Sequence, residues 1–210
     1  MNFDHILKDL IDAGFVYLGG FHPESYQTLV LIGNAGPQMW QSFTISCDTN
    51  STTLDQWTET TITRLASAIN ATALFPFDRP PHPFLTWAQK SGETFTSPIG
   101  LSIHPRYGLW HAYRAALIFE CTLDLPAVTT TISPCDDCEE KPCLTKCPVN
   151  AFSLHGYDVP RCITHIKSGD STNCHELGCR ARRSCPVGQE FHYSPQQAEF
   201  HMAAFVKAQG

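Results

Sequence analysis

Eight cysteines fall within residues 135–185, against two, Cys47 and Cys121, in everything before them. This crowding constrains the fold more than any other feature of the 210-residue chain. From Thr129 onward the sequence is cysteine, proline and charge with few aliphatic residues. Such a stretch cannot bury enough apolar area to offset an ordering entropy of roughly 1 to 2 kcal/mol per residue. A bound group has to make up the difference, and metal ligation contributes on the order of 10 kcal/mol per site. The opening residues, MNFDHILKDLIDAGF, carry acids among the apolar positions and lack a basic region followed by an apolar one, so they do not read as a secretory signal. The expected location is the reducing cytoplasm, where thiols act as ligands rather than as disulfides.

The first four cysteines are spaced Cys135-x2-Cys138-x4-Cys143-x3-Cys147-Pro148. A cubane cluster needs four soft thiolates converging on its irons, and a short loop carrying three of them can wrap one cluster while its amides point at the sulfides. The second set, Cys162, Cys174, Cys179 and Cys185-Pro186, is spaced more openly, C-x11-C-x4-C-x5-C-P, and ends in the same Cys-Pro dipeptide. In bacterial two-cluster ferredoxins the fourth cysteine of such a run ligates the other cluster. Crossing the fourth ligands gives Cys135, Cys138, Cys143 and Cys185 to one [4Fe-4S] cluster, and Cys147, Cys162, Cys174 and Cys179 to a second. Three other readings stand beside this one: zinc held by four thiolates, a single cluster on the first motif with the second set incomplete, and disulfides. Zinc modules usually pair C-x2-C with a second C-x2-C or a histidine pair, whereas this chain has longer gaps that end in Cys-Pro.

The run CDDCEEKPCLTKCPVNAF, then Arg161-Cys162-Ile163, then GCRARRSCPVG, resembles the dicluster ferredoxin module at the back of epoxyqueuosine reductase. The resemblance covers about 55 residues and is faint before them. It implies two [4Fe-4S] clusters behind an α/β domain that binds cobalamin, with electrons passing through the clusters to the corrinoid. The second cysteine set is spaced more widely here than in that family, and no residue stands out as the family's catalytic acid.

In front of the cysteines, Phe3, Ile6, Leu7, Leu10 and Ile11 recur at helical spacing before Gly14, and FVYLGGF and TLVLIGN read as strands. Residues 54–70 predict a second helix with Leu54, Trp57, Thr61, Leu65, Ala68 and Ile69 on one side. PFLTWAQKSG suits a short helix ending at Gly92, and residues 113–123 a buried strand. The fold class expected is α+β or α/β. A mixed-sheet α/β domain over 1–128 would precede a small ferredoxin-like iron-sulfur domain over 129–210.

Around the ligands, Asp136, Asp137, Glu139 and Glu140 disfavour cluster reduction and offer a face to a basic redox partner, or form a solvated loop. Arg180, Arg182 and Arg183 offset cluster charge, or grip a phosphate or a partner's carboxylates. His155, His165 and His175 read as surface or packing residues, and Cys47 and Cys121 as small buried hydrophobes. The Gly33-Asn34-Ala35-Gly36-Pro37 segment reads as a turn. Residues 97–114 mix aromatics, histidine, arginine and glycine in a way that suits either a cofactor lining, with Arg106, Tyr107, Trp110 and Arg114 as the candidates, or a domain interface. His104 is the candidate for an axial metal ligand or, as usual before proline, a structural residue. A net charge of -6 gives no general case for nucleic acid, and no apolar run approaches the roughly 20 residues of a membrane helix. The expected function is iron-sulfur electron transfer to a partner, or to cobalamin or flavin in the front domain, which would make the chain an oxidoreductase. The alternative is a zinc-stabilised interaction module without redox activity.

Overall fold

The computed structural model describes residues 3–49, 51–128, 131–153, 156–169 and 174–209. Its elements in chain order are α1 (Phe3–Asp12), β1 (Val16–Phe21), β2 (Thr28–Ala35), α2 (Gln38–Ser46), α3 (Leu54–Ala68), β3 (Thr72–Leu74), α4 (Phe84–Ser91), β4 (Phe95–Thr96), β5 (Ser102–Ile103) and β6 (His111–Phe119). They continue with α5 (Pro142–Thr145), β7 (Phe152–Ser153), β8 (Gly156–Tyr157), α6 (Val159–Lys167), α7 (Arg180–Arg183) and α8 (Pro195–Gln209). The class is α+β. Two compact units result, one of Met1–Thr94 with His111–Thr131, the other of Phe95–Trp110 with Ile132–Gly210. Compared with the expected division after residue 128, the segment 95–110 moves to the second unit. Among the described residues no helix is long and apolar enough to cross a membrane.

The sheet of the first unit runs β1-β2-β6-β3, and every pairing in it is antiparallel, not mixed as expected. The reason is topological. Residues 22–27 join β1 to β2 as a hairpin, and β6 enters between β2 and β3 in the opposite direction to both. β2 is buried along its whole length. Val30 and Ile32 from β2 join Leu7, Leu10, Phe15, Phe43, Trp57 and Ile62 in one core. α1 closes in a Schellman motif, with the Gly14 N–H on Ile11 O and the Phe15 N–H on Leu10 O, both at 2.9 Å. Ile11, expected on the buried side of α1, is 54% exposed. α3 opens with a capping box in which Thr53 Oγ1 accepts from the Gln56 N–H and Gln56 Oε1 accepts from the Thr53 N–H. Its buried side is Leu54, Trp57, Thr58, Ile62, Leu65 and Ala66, so Ala68 lies outside the stripe expected for it.

Among its described residues the second unit has no large sheet. Its strands form two hairpins, β4 with β5 and β7 with β8, and its apolar clusters are small and contain cysteines. Segment 95–110 is fixed to the end of the cysteine stretch by a pair of glycines. A Cβ on Gly108 would stand 2.0 Å from Val187 O, and one on Gly188 would stand 2.5 Å from Tyr107 C. Both also have positive φ, +56° and +72°, so no other residue satisfies the backbone and the approach together.

Candidate metal centre

All ten cysteines are free thiols. Eight of them divide into two groups, both within the second unit. Cys135, Cys138 and Cys143 lie in the loop that leads through α5, and Cys185 follows α7; these four line one cavity of about 20 Å³. Cys147 lies beyond α5, Cys162 in α6, Cys174 before α7, and Cys179 at the N-terminus of α7; these four line a second cavity of about 260 Å³. Cys147 thus leaves its own run of sequence to join the later cysteines, and Cys185 leaves its own to join the earlier ones. The two sets of lining cysteines are the sets obtained by crossing the fourth cysteine of each run. Among the described residues no three histidine, cysteine or carboxylate side chains gather tightly enough to hold a single metal ion.

Some thiols in each group are costly to ionise. Burial pushes Cys135, Cys143, Cys162 and Cys185 above the ordinary thiol range, and the neighbouring thiols add to this by repulsion. Cys179 is pushed up to about 11, chiefly by burial. Donors aimed at sulfur oppose these shifts. The Ala181 and Arg182 amides face Cys179, the Val187 amide faces Cys185, the Ser133 hydroxyl faces Cys135, and the Tyr157 hydroxyl faces Cys162. The Ala151 N–H lies 3.3 Å from Cys147 Sγ. Such donors pointed at buried sulfurs are what a thiolate-ligated centre uses to hold negative charge.

The larger cavity has room for several waters at about 30 Å³ each, so a polynuclear group fits its donor set by size as well as by chemistry. The smaller one is no wider than a water. The same group there requires its thiols to part, and Cys135 and Cys138, half-buried on a loop, can do so by rotation about χ1. One polar atom fits the smaller site. Ser97 lines it and has a buried hydroxyl without a hydrogen-bond partner.

The other expected residues are placed as follows. Arg106 stands over the rings of Tyr107 and Phe191, at 5.4 and 5.9 Å from their centroids. Arg182 lies between Trp110 and Tyr193, at 4.4 and 4.6 Å, and its Nε donates to Leu109 O at 2.8 Å. Arg114 belongs to the first unit, where its Nε donates to Asn34 Oδ1 at 2.8 Å. The four candidates for a cofactor lining are therefore divided between the units. His104 Nδ1 accepts from the Arg106 and Tyr107 amides, and burial lowers its pKa to about 4, so the ring is neutral and closes the turn. His165 lines the larger cavity, His175 lies 3.9 Å from Glu199, and His155 is outside the described residues. Cys47, half-buried, donates its thiol hydrogen to Phe43 O, and Cys121 is exposed beyond the end of β6, not buried as expected. His201, Met202 and Phe205 of α8 also line the larger cavity and were missed in the sequence, as do Ile99 and Leu101 from the 97–114 stretch singled out there.

This arrangement, an antiparallel sheet unit together with a unit of short helices and hairpins, is a fold shared with solved reductases and a vitamin-trafficking protein. Epoxyqueuosine reductase from Streptococcus thermophilus matches 94% of this chain over 70% of its own, with a TM-score of 0.58 and 16% identity. Epoxyqueuosine reductase in complex with a tRNA-Tyr epoxyqueuosine-modified stem loop matches 93% over 69%, at 0.52 and 13%. The C. elegans B12-trafficking protein CblC, a homologue of human MMACHC, matches 97% over 94%, at 0.51 and 16%. At these identities the likeness is one of fold. No protein-family model and no curated protein matches the sequence.

Proposed function

We propose that the second unit carries two [4Fe-4S] clusters, one on Cys135, Cys138, Cys143 and Cys185 and one on Cys147, Cys162, Cys174 and Cys179, and that the chain is a cytoplasmic electron-transfer protein. One observation carries the reading: eight cysteines, crossed in sequence, stand in two fours around two separate cavities. Such a centre supplies one-electron chemistry when bound. The chain's own residues exclude water and place donors on sulfur. The Ala151, Ala181, Arg182 and Val187 amides and the Tyr157 hydroxyl face cluster ligands, and Phe152, Ile166 and Phe205 form part of the apolar wall of the larger site.

The electron acceptor we propose is a corrinoid held by the first unit, which makes the chain an oxidoreductase. Support comes from the fold shared with a B12-trafficking protein and with reductases. The test is iron and acid-labile sulfide per chain on protein purified without oxygen, with an electron paramagnetic resonance spectrum after dithionite reduction. About eight of each, as two cubanes require, with a spin-coupled signal is the expected result. About two zinc and no sulfide, the content of two zinc sites of four thiolates each, would leave a structural module instead. Retention of added cob(II)alamin through gel filtration tests the acceptor separately.

A further inference from the structure

We infer that the Ser97 hydroxyl donates a hydrogen bond to a sulfur of the centre held by Cys135, Cys138, Cys143 and Cys185, and raises the reduction potential of that centre alone. The inference rests on the clusters proposed above. Ser97 is 5% exposed, and its Oγ has no partner. Its backbone is fully engaged: the N–H donates to Leu101 O and the carbonyl accepts from the Gly100 N–H, both at 2.9 Å, in the turn between β4 and β5. The residue is therefore held in place, and the hydroxyl is the one polar group on it left over.

The surroundings say what that hydroxyl can reach. Ser97 lines the smaller cavity with the four thiols, and the remaining lining side chains are prolines, Ile103, Leu109, Val187 and Lys141. None of these is an acceptor. Sulfur is the acceptor that the side chains of this cavity offer; on its other side Ser97 lines an opening with Ser153 and Tyr157, whose hydroxyls are engaged with Gly156 O and Cys162. A buried hydroxyl left unpaired is destabilising, whereas one aimed at a thiolate or sulfide gains most when the centre takes up an electron and its negative charge grows. Stabilising the reduced state more than the oxidised state raises the potential. Ser97 does not line the larger cavity, although Ile99 and Leu101 of the same turn do, so the second centre is an internal control.

The experiment is a redox titration monitored by electron paramagnetic resonance on anaerobically purified full-length protein, with iron and sulfide counted on every sample. The potential of the first centre is identified as the one that disappears in Cys135→Ala. Ser97→Ala is expected to keep its iron, lower that potential and leave the other where it was. Resonance Raman iron–sulfur frequencies, which shift in D2O when an exchangeable hydrogen bonds to sulfur, should shift less in Ser97→Ala than in the wild type. If the alanine variant loses iron, Ser97→Thr and Ser97→Val decide, since they share a shape and differ in the hydroxyl; the valine variant should have the lower potential. Equal potentials within the pair, or an unmoved potential in Ser97→Ala with full iron, overturn the inference. Wild-type protein without iron and sulfide would instead overturn the clusters, so the two failures are distinguishable.

Discussion

The first unit buries Leu10, Phe15, Phe43, Trp57, Ile62 and Leu117 in one continuous core beside a four-stranded sheet, whereas the apolar clusters of the second unit are small and have cysteines at their centres. Each buried large side chain in the first unit contributes about 1.5 to 3 kcal/mol by removing apolar surface from water. In the second unit the buried positions include Cys143, Cys147, Cys174 and Cys185, and burial pushes the Cys143 and Cys185 thiols above the ordinary range, so that they are costly to ionise. On the proposed reading, one unit is held by packing and the other by what its thiols would bind. Stripping the metal should therefore separate them. Treatment with chelator and oxidant is expected to remove on the order of 10 kcal/mol per site from the second unit. Hydrogen exchange read by mass spectrometry should show its amides unprotected while those of β2 and β6 stay slow. Parallel loss of protection in both would sink the comparison.

The converse change is smaller. Phe43 is 1% exposed and contacts the rings of Trp40 and Trp57, with centroids 5.5 and 5.6 Å away. Phe43→Ala should cost about 3 to 5 kcal/mol of first-unit stability, measured by denaturant unfolding, with the iron content per folded chain unchanged.

How much of this was legible in the sequence follows the same division. The eight cysteines were legible as one set from their crowding and the two Cys-Pro dipeptides, while their division into two fours came from the pattern of two-cluster ferredoxins. The helix α3 was readable from periodicity, and the strands β1 and β2 from short β-rich runs bounded by glycine. α8 was not: it buries only Gln197 and Ala198 among its described residues, so PQQAEFHMAAFVKAQ shows no apolar stripe, and its part in the larger cavity left no signal. α2 follows Pro37 with no side-chain cap, and β3 pairs over three residues, too few for a period to register. Residues 97–114 were read as a cofactor lining or a domain interface and placed in the front domain, because nothing in their composition announces that Gly108 and Gly188 lock segment 95–110 against the cysteine stretch. Ser97, the first residue of that stretch, was given no role of its own for the same reason.

Acidity offers a third, weaker way to separate the units. Burial raises several thiols of the second unit above the ordinary value of 9.0, and Cys179 to about 11, so at neutral pH these groups hold their protons when no metal is present. Metal capture must displace those protons. The sign follows: affinity rises with pH and falls on acidification, throughout the range below the raised values. Cobalt(II) binding to apoprotein, read by its thiolate charge-transfer absorption, should weaken at least about tenfold per pH unit between about pH 8 and pH 6. A flat profile would mean that the thiols are already ionised and that burial is not controlling them.

The smallest effect is expected where a cysteine belongs to the first unit. Cys121 is exposed just past the end of β6, and its backbone carbonyl, not its thiol, accepts the Thr28 hydroxyl at 2.9 Å. Cys121→Ser preserves that carbonyl and exchanges one small polar surface group for another. Stability should change by no more than about 0.5 kcal/mol, the ordinary range for a surface position. Iron and sulfide should be unchanged, and this is the sharper half of the test. A thiol in the packing-stabilised unit that altered cluster content would have to be a ligand or a route for sulfur exchange, and the division between a unit held by its core and a unit held by its thiols would no longer stand. Cys185→Ala on the same assay should instead lose about half the iron, as removal of one of two equal centres requires.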